Sequence, residues 1–380
     1  MTDGIAPDHA ARGDTSVTAL LGSLVADAVA MPVHWYYDRA ALDRGYPQLA
    51  VNYTDPQLAV NDTGPQLAGD STDPQLALGY LAPRNPHPDS ILWRSHWSPP
   101  DAKHDILRDQ GKFWGVRGVH YHQFLAAGEN TLNFQLAVEL FAWLRRTRDY
   151  DPERWLDHYV AFMLEPGRHR DTYVEEYHRH FFTNLAAGRK PINCGVRDVH
   201  IGGLAQVPAL VAGLGPRHPD LPRIVRLHVS LTHKDDEVLA AADALGRILV
   251  RVTRDDRPDA DRDLRAAILD EARDWISAAK VAAWEARAAA GPPPCPDRAV
   301  IGGVLSPACY IEDAFPAALY LAWRHAGDFA AGVRANALCG GDNCHRGAVV
   351  GSLLAARSSI PHPLLAGLLA DARIAGITNP

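Results

Sequence analysis

The sequence predicts an all-α protein folded as one compact domain. Three observations carry that expectation. Apolar residues recur at helical spacing in one segment after another. Strictly alternating apolar runs, the mark of half-buried strands, are few. Proline, glycine and small polar residues fall where those segments begin and end. With 47% hydrophobic residues in 380, there is ample material for a core, and no shift in composition marks a domain boundary.

The first predicted helix runs from Ser16 to Met31, with Leu20, Leu21, Leu24, Val25, Ala28 and Val29 on its apolar face. Asp14, Thr15 or Ser16 can cap it and Pro32 stops it. Thr131 to Arg146 repeats the pattern through Leu132, Leu136, Ala137, Leu140, Phe141 and Leu144. Further helices are expected over 155–164, 199–214, 224–252, 261–290, 314–325, 329–338 and 346–356. Gly347 and Gly351 lie four apart on the last of these, so a neighbouring helix can approach closely there. Residues 1–15 are polar and expected to be disordered, leaving 16–380 as the folded domain.

Two regions break the pattern. Pro-Gln-Leu-Ala starts at Pro47, Pro56, Pro65 and Pro74, a nine-residue tandem repeat whose prolines forbid a long helix. It reads as a duplicated surface insertion over about 47–77, produced by slippage and carrying little function. The stretch from His87 to Ala127 is dense in Trp, His and Pro and includes His120 and His122. It can wall a pocket for a flat polar ligand or simply cover the core, and the pocket wall is the reading preferred here.

Charge and cysteine content narrow the function. A net charge of -7 with no basic block argues against a nucleic-acid partner. No apolar run reaches the roughly 20 residues of a membrane span, and residues 1–15 lack the apolar core of a signal peptide. Five scattered cysteines suit reduced thiols in the cytoplasm.

The segment richest in chemistry is Cys339-Gly340-Gly341-Asp342-Asn343-Cys344-His345-Arg346-Gly347, placed between two predicted helices. Glycines allow a sharp turn and Asp342 can aim a carboxylate inward from a helix start. Turn chemistry alone explains Gly and Asp equally well, with Asp342 as a plain N-cap.

Four segments in order resemble the ADP-ribosylglycohydrolase family. Residues 21–34, ending Met31-Pro32-Val33-His34, look like the family's opening helix, whose end usually reads G-D-A-x-G-x-P-x-E. Gly128-Glu129-Asn130-Thr131 stands where the family has T-D-D-T. Thr232-His233-Lys234-Asp235 is similar to T-H-x-D, and Gly340 to His345 stands where the family has G-G-D-T-D-T. The resemblance spans about 16–356. It implies an orthogonal helical bundle with a pocket for ADP-ribose and two magnesium ions held by oxygen ligands. It also implies that the loop carrying Arg197 lies near the ligand, where Arg197 can meet a phosphate or form a surface ion pair.

The sequence departs from the family at nearly every metal ligand. The first-segment glutamate is replaced by His34, the T-D-D triplet by Gly128, Glu129 and Asn130, and the last motif keeps only Asp342 before Cys344 and His345. Magnesium wants an octahedral oxygen cage, which these residues do not supply. Three readings follow. In the first, no metal is needed, and Glu129 and Asp342 form a catalytic carboxylate pair for an N-glycosidic bond. Here His34, Asn130, His120, His122, Asn343, Cys344, His345 and Arg197 bind substrate. In the second, His34, Asp342 and His345, with Cys344 as a further thiol candidate beside His345, hold one softer divalent ion such as zinc. In the third, the chain is a catalytically inactive nucleotide-binding or structural relative. The first is preferred, with a small ADP-ribosyl, NAD-like or nucleotide molecule as partner and no cofactor.

Overall fold

The computed structural model describes residues 14–51, 79–89, 91–254 and 263–378. Among them there is no strand, only isolated bridges such as Val196 with His233 and His200 with Tyr310. The helices are α1 (Thr15–Ala30), α2 (Arg39–Gly45), α3 (Pro47–Val51), α4 (Leu132–Thr147), α5 (Pro152–Leu164), α6 (Glu176–Ala186), α7 (Val207–Leu214) and α8 (Leu221–Ser230). They continue with α9 (Asp236–Thr253), α10 (Leu264–Glu271), α11 (Ala278–Ala289), α12 (Ile311–Arg324), α13 (Phe329–Cys339), α14 (Asn343–Ala355), α15 (His362–Gly367) and α16 (Asp371–Thr378).

The helices are more broken than the periodicity predicts. The segment 224–252 divides at 231–235, where Asp235 caps α9 by accepting from the backbone N–H groups of Glu237 and Val238. The segment 199–214 divides into a short 3-10 turn, Ile201–Leu204, and α7, whose second residue is Pro208. The helix α6 was not expected from the pattern. The disordered start expected over 1–15 lies almost wholly outside the described residues. At its edge Asp14 already caps α1, accepting from Ser16 N. Most of the repeat also lies outside them. Its first copy is not a free loop, because Leu49 of α3 is buried.

α1 is apolar on every side and buried on every side, as a helix at the centre of a bundle must be. Residues 15–33 are long and apolar enough to cross a membrane by length and composition, contrary to the expectation that no run is. Here that hydropathy belongs to the central helix of the fold. α14 lies against it more extensively than any other element, and α7, α9 and α13 complete its surroundings.

The α1–α14 contact depends on glycine. A Cβ at Gly351 would sit 2.2 Å from the carbonyl oxygen of Gly22, and one at Gly22 would sit 2.3 Å from Ala355 Cβ. Gly347 faces the Ala26 carbonyl in the same seam. The close approach brings the C-terminal end of α1 beside the N-terminal end of α14. Pro32 and a single 3-10 turn end α1, and His34 follows in extended conformation. Gly340 and Gly341 both have positive φ and end α13. Trp35 N donates to Gly341 O and Gly341 N donates to Tyr36 O, at 2.9 and 2.8 Å, so the two chain segments are clasped by backbone.

Gly351→Ala should therefore lower unfolding stability by about 2–3 kcal/mol, because the helices must part to admit the methyl group. Gly45→Ala, with nothing within 4 Å of the added Cβ, should change it by less than about 1 kcal/mol. Urea denaturation of the two variants checks this pair of outcomes.

Candidate functional site

The clasp sets His34 against Asp342, and the site builds outward from that carboxylate. Asp342 is the N-cap of α14 and also its inward-facing acid. One oxygen, Oδ1, meets His34 Nε2 at 3.0 Å and His345 Nδ1 at 2.8 Å. The other, Oδ2, is buried without a hydrogen-bond partner. Arg346, fully buried, ties the glycine turn from within by donating to Asn336 and to the carbonyl of Gly340. Asp342 N donates to Pro307 O. The turn is thus fixed before any side chain of the site is considered.

A chain of hydrogen bonds runs away from Asp342 in both directions. On one side His34 Nδ1 faces His122 Nε2 at 2.7 Å with the rings coplanar, and His122 Nδ1 faces Asp171 Oδ1 at 2.7 Å. On the other, His345 Nε2 meets the side-chain amide of Asn133 at 2.6 Å. The amide oxygen of Asn133 accepts from Tyr177 and His178. Glu175 stands beside His345, with Oε1 3.7 Å from Nδ1 and without a hydrogen bond, while its Oε2 accepts from the Tyr173 hydroxyl at 3.4 Å.

Burial decides the charges. It pushes His34 down to about 3 against the pull of Asp342. Burial also opposes ionisation of Asp342, but the imidazoles of His345 and His34 outweigh it and hold the carboxyl well below its usual range. For His345 burial is again overcome, by Asp342 and then Glu175, and the ring rises to about 9. Glu175 is raised by its own burial, so the two acids that flank His345 are displaced in opposite directions.

The cavity between these groups is small. It is lined by His34, His122, Asn133, Tyr173, Glu175 and His345 among others, and its volume of about 10 Å³ takes one water-sized body. A ribose does not fit it as it stands.

The other residues singled out in the sequence lie elsewhere. Glu129 does not face Asp342. It pairs with Arg170 and caps the Ala126 N–H at the surface, and it lines a separate depression with Gln135 and Arg373. Gly128 adopts φ +78° immediately before it, and that turn directs the carboxylate outward. Asn130 donates to Asp27 Oδ2 and Leu24 O, so it belongs to the seam with α1. Asn343 donates to Val33 O and Ala337 O and holds the turn. The Cys344 thiol faces Asp27 O, and burial keeps it a thiol. His120 bonds Pro32 O and His122 N with its two ring nitrogens, a supporting role. Arg197 is exposed and paired with Asp235, on a different depression of about 700 Å³. Of the sequence candidates, only His34, His122, Asp342 and His345 come together.

Sequence reasoning missed Asp171, Asn133 and Glu175. Asp171, Tyr173 and Glu175 alternate along an extended segment and all line the cavity. That spacing was the available signal. The aromatic stretch before α4 helps place them, since Trp114 stacks on Tyr173 and donates to Thr172 O.

The donor set tests the magnesium pair that the resemblance implies. Asp342 and two imidazoles converge with Glu175 beside His345, Asp27 is spent on Thr131 and Asn130, and Glu129 points away. An oxygen cage for two hard dications is not present.

The family described as ADP-ribosylglycohydrolase matches residues 8–379, nearly the whole chain. The chain belongs to the ADP-ribosylglycohydrolase family. No curated protein matches it. Among solved structures it is similar to an ADP-ribosylglycohydrolase-related protein complex, with 20% identity and a TM-score of 0.55, covering 97% of this chain and 96% of that one. At that identity the likeness bears on the fold, which is all-α in both the expectation and the structure.

Two outcomes follow from these placements. Glu129→Gln should cost less than about 1 kcal/mol, as loss of an exposed ion pair does, and should leave the His34 and His345 ring signals in NMR spectra unmoved. The second concerns His200, which burial would lower but Asp198 raises to about 9. Its stabilising contribution is full below the unfolded value of about 6.5 and is lost as pH rises through about 9. His345 adds to the same alkaline loss. Stability measured from pH 6.5 to 9 should fall, and Asp198→Asn should make that fall shallower.

Proposed function

We propose that this chain is a glycohydrolase-like enzyme that cleaves the N-glycosidic bond of an ADP-ribosyl, NAD-like or related riboside, without a two-magnesium centre. The observation that carries the proposal is the buried acid pair Asp342 and Glu175. They flank one imidazole and are displaced in opposite directions. Two carboxyl groups so separated can divide the labour of glycoside cleavage. Asp342, held ionised, stabilises positive charge as it develops at the anomeric carbon. Glu175, whose burial favours its protonated form, delivers a proton to the departing nitrogen and then accepts one from the attacking water. His34 and His345 keep Asp342 oriented. A cationic leaving group such as a pyridinium or guanidinium needs little acid help. A small-molecule partner fits the family, and the negative net charge fits a protein that leaves nucleic acid alone in the cytoplasm.

The small cavity favours a second reading, a catalytically inactive relative whose polar groups satisfy one another. Under the first reading the wall formed by Tyr173 and Glu175 must give way to admit the sugar. Incubation with NAD, ADP-ribosylated peptides and simple N-ribosides, read by mass spectrometry, separates the two. The proposal expects one class to be cleaved, Asp342→Asn and Glu175→Gln each to slow turnover by about 10²–10⁴-fold, and Glu129→Gln to leave it unchanged. Cleavage of none of them supports the inactive relative.

A further inference from the structure

The site that fails as a magnesium cage has the ligands of another kind of centre. We propose that His34 Nε2, His345 Nδ1 and the Asp342 carboxylate bind a single borderline divalent transition ion of the zinc class. The three donor groups are buried, and their ligand atoms lie within 4.8 Å of one another. Two imidazoles and one carboxylate suit zinc, cobalt or nickel and disfavour magnesium.

The surrounding hydrogen bonds orient the rings for this purpose. Asp171 bonds His122 Nδ1, and His122 Nε2 bonds His34 Nδ1, so that His34 Nε2 is turned toward Asp342 Oδ1, 3.0 Å away. A carboxylate–histidine relay behind a ligating imidazole is how metal sites orient their ligands. On the other side, the Asn133 amide holds His345 through Nε2, which leaves Nδ1 as the ring nitrogen that faces Asp342.

Two further observations point to an ion. Asp342 Oδ2 is buried without a partner, so the carboxylate keeps a free donor atom for it. The cavity against His34 and His345, about 10 Å³, leaves room for one water as an open coordination position. One dication also matches one anionic ligand better than two would.

This inference rests on ligand geometry and not on the proposed reaction, so binding, not turnover, tests it. Chelator-stripped protein is titrated with Co(II) in the presence of excess Mg(II), and the visible d–d absorption and bound metal are measured. The expected result is one Co(II) per chain with an intense low-symmetry band, displaced by one equivalent of zinc and unaffected by magnesium. His34→Gln and His345→Gln should each weaken binding at least 100-fold, and His122→Asn about 10–100-fold through loss of the relay. Absence of stoichiometric cobalt in the wild type, which needs no variant to fold, overturns the proposal. So does equal binding in the wild type and in folded His34→Gln and His345→Gln, which would place the metal on other histidines or cysteines.

Discussion

The close contact between α1 and α14 is the constraint on which the rest of the molecule depends. Backbone touches backbone at Gly22 and Gly351, and no side chain can be inserted there without moving one helix. Because the contact is so tight, the chain leaving α1 and the turn entering α14 run together, and their peptide groups bond reciprocally through Trp35, Tyr36 and Gly341. His34 and Asp342, 308 residues apart in sequence, then meet at 3.0 Å. The site is a consequence of helix packing at a glycine seam before it is a consequence of any catalytic requirement.

What the seam assembles is a buried carboxylate that survives as an anion only because two imidazoles compensate it. An isolated charge in such a place costs several kcal/mol or more. Asp342 avoids that cost through His34 and His345, and these are in turn held by His122, Asp171 and Asn133. The family's oxygen ligands are replaced by groups that bond to one another. The arrangement is rigid, since each ring nitrogen has an assigned neighbour, and tight, since little space remains. Rigidity suits preorganised electrostatics. The small volume means that a substrate must displace part of the wall, of which the segment carrying Tyr173 and Glu175 lies outside the helices.

The legibility of this site in the sequence follows the same physics. The all-α class was readable because amphipathic and fully apolar helices leave a periodic trace, and the motif order exposed the family. His34, Asp342 and His345 were readable because each sits at a helix boundary that Pro32 or the paired glycines announce. Glu129 misled because side-chain direction in a turn is set by φ at Gly128, which spacing does not reveal. Asn130 and Cys344 misled for a related reason. They lie near the site in sequence but on faces turned toward α1. Asp171 and Glu175 were passed over because an extended segment between helices carries no long period. Their partner His345 becomes a neighbour only through the fold. The splits at 231–235 and near Pro208 show tertiary demands overriding an otherwise continuous apolar pattern.

The central claim is that two buried carboxyl groups around His345 are displaced in opposite directions, Asp342 below the usual carboxylate range and Glu175 above it. Carbon-13 NMR of metal-stripped protein with labelled aspartate and glutamate carboxyls, titrated from neutral pH into acid, reads this directly. The account predicts an Asp342 signal that stays in its ionised position down to the acid limit of the folded state, and a Glu175 signal that titrates above the ordinary glutamate value of about 4.3. Ordinary titration of both groups near pH 4 would mean an open, solvated site and would contradict it.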